Sequence, residues 1–95
     1  MIDQIHVHKA FVGSDGITLK KGLSSYYENE AIISQKMMES SDYAYLLADS
    51  SKFNTDTYVI FSALQNITAF ITDSKLPDQI VEMYGKRKIK ILKGG

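Results

Sequence analysis

Tyr43-Ala44-Tyr45-Leu46-Leu47-Ala48-Asp49-Ser50-Ser51-Lys52 (residues 43–52) is the stretch on which the fold turns. Its first six residues are apolar or aromatic, too few for a helix of ordinary length. A short continuous run of this kind is expected of a strand covered on both faces, the environment of a parallel sheet. It stops abruptly at Asp49, in a turn of one acid, two serines and a lysine. Ala69-Phe70-Ile71-Thr72, ending at Asp73, repeats the pattern. Upstream, Ile5 to Val12 reads as a strand stopped by Gly13-Ser14-Asp15-Gly16. Between the first two strands a helix is predicted from about Tyr27 to Ser40, capped by Ser24 or Ser25. Ala31, Ile32, Met37 and Met38 form its apolar stripe, and Glu28, Gln35 and Glu39 its solvated side. Tyr58 to Leu64 is rich in β-branched and aromatic residues and favours a strand. A second helix follows, with Pro77 in its first turn and Gly85 in the left-handed position after its end. Leu76, Ile80, Val81 and Tyr84 line one of its faces, and Ile89 to Leu92 closes the chain as a strand. Strand, helix, strand, strand, helix, strand implies an α/β fold: a mainly parallel sheet flanked by helices.

The bulk composition narrows the chemistry. With 95 residues the chain is one domain. Lys+Arg and Asp+Glu both number 11, so no cationic surplus faces a nucleic acid backbone, and duplex binding by this segment is not expected. There is no cysteine, which excludes disulfides and thiolate metal sites and allows a reducing cytoplasm. No apolar run approaches the roughly 18 residues that cross a bilayer. Met1-Ile2-Asp3-Gln4 is not a signal peptide, lacking a cationic segment before an apolar one. A cytoplasmic location with no membrane contact is the expectation.

In a parallel sheet ligands sit beyond the carboxyl ends of the strands. Two such ends carry chemistry-bearing turns, Gly13-Ser14-Asp15-Gly16 and Asp49-Ser50-Ser51-Lys52. A phosphorylated sugar needs a cation and hydroxyl or backbone donors for its phosphate, and carboxylates to accept from its hydroxyls. Gly13 and Gly16 would let backbone approach such a ligand, and Asp15 would accept two hydroxyls. Lys52, with Ser50 and Ser51, would face the phosphate, and Glu30 at the helix start would reach the same mouth. Each feature also has a plainer reading. Turns with Gly, Ser and Asp are commonly only turns, and a glutamate in the first helical turn suits the macrodipole with no ligand. His6 and His8 share a strand face, but no acidic residue stands beside them on that strand. They read as surface histidines rather than the start of a metal site. Tyr26 and Tyr27 read as a hydrophobic staple, Met37 and Met38 as core filler. Lys86-Arg87-Lys88 with Lys90 reads as solvated edge protection.

The order of these elements resembles the sugar-phosphate-sensing domain of DeoR-type transcriptional repressors. Residues 9–17, Lys-Ala-Phe-Val-Gly-Ser-Asp-Gly-Ile, are similar to that family's Ala-Phe-hydrophobic-Gly-Ala-Asp-Gly-Ile segment. Gly22-Leu23, Glu30-Ala31, Lys36 and Met37 follow its spacing. Residues 46–53 are similar to its Leu-Ala-Asp-x-Ser-Lys-Phe segment, and Ile71-Thr72-Asp73 to its last motif. The likeness runs from about Lys9 to Leu92. Asn54 stands where the family has glycine, a mild departure because Asn tolerates a left-handed backbone. The family places a helix-turn-helix first, then a first half of the sensor domain with a Ser/Thr-rich phosphate loop. Neither is present here. The resemblance therefore implies that residues 1–95 are the C-terminal portion of an effector-binding domain, with DNA contacted only through the missing N-terminal domain.

The family's sensor fold is similar to that of ribose-5-phosphate isomerases. The resemblance places Asp15 at that enzyme's second aspartate, Lys21 at its lysine before the glycines, Glu30 at its catalytic glutamate and Lys52 at its last lysine. Val12 occupies the place of its first aspartate, and Gly16 replaces the glutamate of the same motif. Proton transfer between adjacent carbons needs an acid and a base in register, so turnover is not expected and no residue is assigned a catalytic role. The implied function is recognition of a phosphorylated sugar effector by Gly13, Ser14, Asp15, Gly16, Lys21, Glu30, Asp49, Ser51 and Lys52, with no cofactor and no metal. A sugar-phosphate isomerase-like enzyme fragment and a purely structural fragment are the alternatives. Two helices cannot cover both faces of the sheet, so a homo-oligomer is expected.

Overall fold

The computed structural model describes residues 6–94; Ile5, with which the predicted first strand opens, lies outside them. Among the described residues seven strands form two sheets, and two α-helices accompany them. The larger is wholly parallel, in the order β1 (Val7–Val12), β4 (Ser41–Leu47), β6 (Ala69–Asp73), β7 (Ile91–Gly94). The smaller is antiparallel, in the order β2 (Gly16–Thr18), β3 (Gly22–Ser25), β5 (Val59–Ser62). The helices are α1 (Glu28–Glu39) and α2 (Asp78–Gly85). This is an α/β fold with a mainly parallel sheet, as the apolar runs imply.

The antiparallel sheet departs from the reading of the sequence. The Tyr58–Leu64 segment does contain a strand, but β5 pairs with β3 and stays out of the parallel sheet. Ser24 and Ser25 are therefore strand residues rather than helix caps. Ser24 is 2% exposed and its hydroxyl accepts from Thr57 Oγ1 at 2.7 Å, while Tyr27 takes the N-cap position of α1. Two glycines make the small sheet possible. Gly22 has φ +86°, and a Cβ there would lie 2.3 Å from the Ser62 carbonyl oxygen. A Cβ on Gly16 would lie 2.5 Å from the Thr55 carbonyl oxygen. The register slips between Leu23 and Ser24, leaving Phe61 as the extra residue of a bulge; Gln35 of α1 donates to its carbonyl at 2.8 Å. Gln35 is thus solvent-facing, as expected, and also a tie.

The core lies between the two sheets and the helices. Leu46, Phe70, Ile17, Leu23, Leu76 and Tyr84 are all at most 1% exposed. On α1 only Ala31 is buried; Ile32 and Met37, expected in the stripe, are exposed because α1 covers only a narrow part of the sheets. Tyr26 and Tyr27 are exposed rather than stapled, and Tyr26 packs edge-on to Tyr58. Gly85 is the last residue of α2, and Lys88 takes the left-handed conformation (φ 64°) instead. Asn54 is left-handed at φ 62°, as its replacement of glycine requires. The strand at 43–48, expected to be covered on both faces, is covered on one: Ala44 and Leu46 are buried, Tyr43 and Leu47 exposed.

Among the described residues no helix is long and apolar enough to cross a membrane.

Candidate functional site

β1 and β4 are parallel neighbours, with Val12 beside Leu46, so the turns that follow them emerge side by side. Between these turns and the start of α1 lies a cleft of about 500 Å3. Six of the nine residues singled out from the sequence line it: Gly13, Ser14, Asp15, Glu30, Asp49 and Lys52. Ser25, Ile33, Ser34, Leu47 and Ala48 complete the wall. A second cleft, of about 460 Å3, lies between α1 and β5. Among its walls only Glu39 is charged, so it offers no cation.

The carboxylates of the first cleft are set by local structure. Asp15 Oδ2 accepts from the Tyr26 backbone N–H and from Ser25 Oγ, both at 3.1 Å. The Asp15 N–H donates to the Ser24 carbonyl at 3.0 Å, fixing the turn against β3. Glu30 Oε2 also lies within reach of Ser25 Oγ, at 3.3 Å. A serine hydroxyl has one proton, so it serves Asp15 or Glu30 but not both. The two carboxylates therefore share one donor and retain capacity to accept from a ligand. Ser25 was visible in the sequence only as a cap; nothing short of the β2–β3 pairing shows it as the bridge between Asp15 and Glu30.

On the other wall the Asp49 carboxylate accepts from the backbone N–H of Ser51 at 3.0 Å and from the Ser51 hydroxyl. This caps the 3-10 turn Ser50–Lys52. The Ser50 N–H donates to Asp73 Oδ2 at 3.0 Å, and that bond leads the interactions that hold the Asp73 carboxyl below the usual range. The turn is thus anchored to β6 as well as β4. Among the described residues Lys52 makes no ion pair, although three carboxylates share its cleft. It is the one cation there, and it is available to an anionic group.

The other three residues have different surroundings. Gly16 is buried against Thr55 and Ser24. Lys21 pairs with Asp56 at 2.6 Å on the surface, outside the cleft wall. Ser51 is exposed and turned to Asp49. Ser14 lines the cleft, but its hydroxyl sits 2.6 Å from the Gly16 carbonyl and 2.9 Å from that of Ser24, closing the turn. Val12 is a core residue at 5% exposure. His6 and His8, which lacked an acidic neighbour on their own strand, find one on β4: Asp42 lies 2.7 Å from His6 Nε2 and 3.3 Å from His8 Nδ1. No group of three such side chains is placed to hold a metal among the described residues.

Comparison with known proteins bears on this arrangement. Residues 1–74 match the DeoR C terminal sensor domain. The HTH-type transcriptional regulator YulB of Bacillus subtilis is 32% identical over 90 residues, covering 95% of this chain and 35% of that protein. A putative aga operon transcriptional repressor of Escherichia coli O157:H7 is 29% identical over 91 residues, 96% of this chain and 34% of its own length. The L-fucose operon activator of Haemophilus influenzae is 31% identical over 80 residues, 84% of this chain and 32% of its own length. The chain spans about a third of the length of these relatives.

Proposed function

Because the chain belongs to the DeoR C-terminal sensor domain family, a family of transcriptional regulators and not of enzymes, we propose that its cleft binds a phosphorylated sugar and thereby controls operator binding by a parent regulator in the cytoplasm. In this reading residues 1–95 are the C-terminal portion of the effector-binding domain, and DNA is met by another part of the parent protein. The observation that carries the reading is the convergence of Asp15, Glu30 and Lys52 on one cleft at the carboxyl ends of β1 and β4. Asp15 and Glu30, competing for one serine proton, accept from sugar hydroxyls. Lys52 meets the phosphate. Three carboxylates against one ammonium suit a hydroxyl-rich ligand better than a bare phosphate ion. The name of one relative, an L-fucose operon activator, refers to a sugar. For control of DNA binding the ligand must favour one conformation of the parent over another. The enzyme alternative is disfavoured further by Val12 and Gly16, both packed in the interior where an isomerase keeps carboxylates.

Calorimetry with paired phosphorylated and unphosphorylated pentoses and hexoses, on the gene product that carries this chain, tests the reading. One phosphorylated member should bind at least about 10-fold tighter than its free sugar, the worth of one charge-assisted contact. Asp15→Ala should weaken that binding by roughly 10- to 100-fold, and Lys21→Ala should leave it unchanged. Equal affinity for both members of every pair would remove the phosphate from the proposal. An unaltered Asp15→Ala would reduce Asp15 to a turn residue.

A further inference from the structure

The zero net charge of the chain conceals a division along it. Residues 83–95 hold five of the 11 cations and none of the 11 carboxylates, so residues 1–82 carry the matching excess of acid. One of the five, Lys93, pairs with Asp78 at 2.8 Å. The other four, Lys86, Arg87, Lys88 and Lys90, crowd the loop between α2 and β7. All four are exposed, and none makes an ion pair among the described residues. The loop is an ordered turn. Lys86, Arg87, Lys88 and Ile89 donate their backbone N–H groups to the carbonyls of Glu82, Tyr84, Gly85 and Tyr84 at 2.9–3.1 Å, and the Ile89 side chain is buried between the cations.

Structural needs explain only part of this cluster. A helix C-terminus favours a cation or two through its dipole, and Lys86 and Arg87 meet that need for α2. An edge strand is protected by a charge on the strand itself, which Lys93 supplies for β7. Lys88 answers neither need. It holds the left-handed conformation, φ 64°, which glycine adopts without steric cost and which helix ends usually give to glycine. The chain keeps a cation there against its backbone preference. The loop enters the sheet at the amino end of β7, an edge strand, whereas the cleft lies at the carboxyl ends of β1 and β4. An anion at one end of the sheet therefore does not exclude an anion at the other.

We propose that residues 86–90 form an additional contact of the parent regulator with DNA, holding the phosphate backbone without reading its sequence. Recognition of operator bases stays with another part of the parent, and the proposal does not depend on what the cleft binds. Four residue steps span at most about 14 Å, a length over which one strand of a duplex presents about four phosphates. Contacts of this kind position a protein on DNA. A turn already fixed by four backbone bonds loses little freedom in making them.

Fluorescence anisotropy of a labelled duplex of arbitrary sequence, titrated with the 95-residue chain, tests the proposal, with circular dichroism as the check on folding. Affinity should fall about 10-fold for each doubling of salt, the slope of four phosphate contacts. Lys88→Gly should weaken binding about 10-fold at roughly 50 mM salt. It should also raise the melting temperature by about 2–5 °C, because glycine relieves the left-handed backbone. The triple variant Lys86→Gln, Arg87→Gln, Lys90→Gln should weaken binding at least ~100-fold and leave the dichroism as it was. Lys9→Gln, Lys20→Gln and Lys75→Gln together remove the same charge elsewhere. They should change affinity less than about 3-fold, since only cations that meet phosphates release counterions. No binding at about 100 µM chain in roughly 50 mM salt overturns the proposal. So does equal weakening by the two triple variants, which would trace the binding to net charge alone. A Lys88→Gly variant that melts lower and binds as before makes the turn purely structural and overturns it too. Poly-L-glutamate that displaces the duplex at equal charge concentration overturns DNA as the partner and assigns the loop to an acidic protein.

Discussion

A carboxylate is informative where its bonding is incomplete, a glycine where its missing side chain leaves room for something else. Asp15 spends one oxygen on Tyr26 and Ser25; among the described residues its other oxygen has no protein donor. Gly16, read from the sequence as a point of ligand approach, is a packing glycine in the structure. A Cβ there would stand 2.5 Å from the Thr55 carbonyl and 2.6 Å from Ser24 Oγ, whereas one on Gly13 would meet nothing closer than 3.9 Å. Gly16→Ala should therefore destabilise the fold by about 1–3 kcal/mol, the cost of overpacking. Gly13→Ala should stay within about 0.5 kcal/mol. Urea unfolding of the two variants checks this, and equal destabilisation would contradict the geometry. At this scale the sequence discloses the residue types of the site, because Asp15, Asp49 and Lys52 lie in the turns that end apolar runs. It does not disclose partners from other strands. Ser25 beside Asp15, Asp56 beside Lys21 and Asp42 beside His6 all depend on register.

Strands β1, β4 and β6 and helix α2 are legible from their apolar patterns, and α1 stands where it is predicted although Ile32 and Met37 of its expected stripe are exposed; the bounds shift by only a few residues. β2 and β3 are not. They have three and four residues, one of them starts at Gly22, and half of β3 is serine, so no local preference marks them. They form because Leu23 and Ile17 bury completely between the sheets and their backbones pair. α2 lies away from the cleft yet supports it. Tyr84, buried on its inner face, donates to Asn54 Oδ1 at 3.2 Å, two residues beyond Lys52. Burial pushes the Tyr84 phenol above its ordinary range, so it stays a neutral donor. Tyr84→Phe keeps the ring and deletes the hydroxyl. It should cost about 1 kcal/mol of stability, the net worth of one such bond, and somewhat more if Asn54 is left without a donor. Thermal unfolding measures it; no loss would show that the bond contributes nothing and that ring packing alone places α2.

Over the whole molecule, the fold class is readable because short, nearly all-apolar runs such as 43–48 are favoured in parallel strands, and few other environments produce them. The same feature misleads about coverage: Tyr43 and Leu47 are apolar without being buried by this chain, since apolarity marks a surface to be covered and not what covers it. At the surface, a set of carboxylates bridges distant elements. Asp42 joins β4 to His6 and His8 at the start of β1. Asp73 joins β6 to the turn after β4, and Asp78 joins α2 to Lys93 of β7. Each is held below the ordinary value of 3.8: Asp42 chiefly by the His6 ring, Asp73 by the Ser50 N–H, Asp78 by Lys93. A carboxylate whose folded pKa lies below its unfolded one stabilises the fold fully only above the unfolded value, and that contribution is lost as pH falls through the folded value. The melting temperature at fixed protein concentration should therefore hold level from pH 7 to about pH 5 with respect to these groups and decline below about pH 4. Asp73→Asn keeps the shape but cannot titrate, so its melting temperature should start lower at neutral pH and fall less steeply in acid. Scanning calorimetry of both proteins from pH 7 to pH 2 decides the matter. Parallel acid slopes would mean that the Asp73 bridge between β6 and the Lys52 turn does not hold the two elements together.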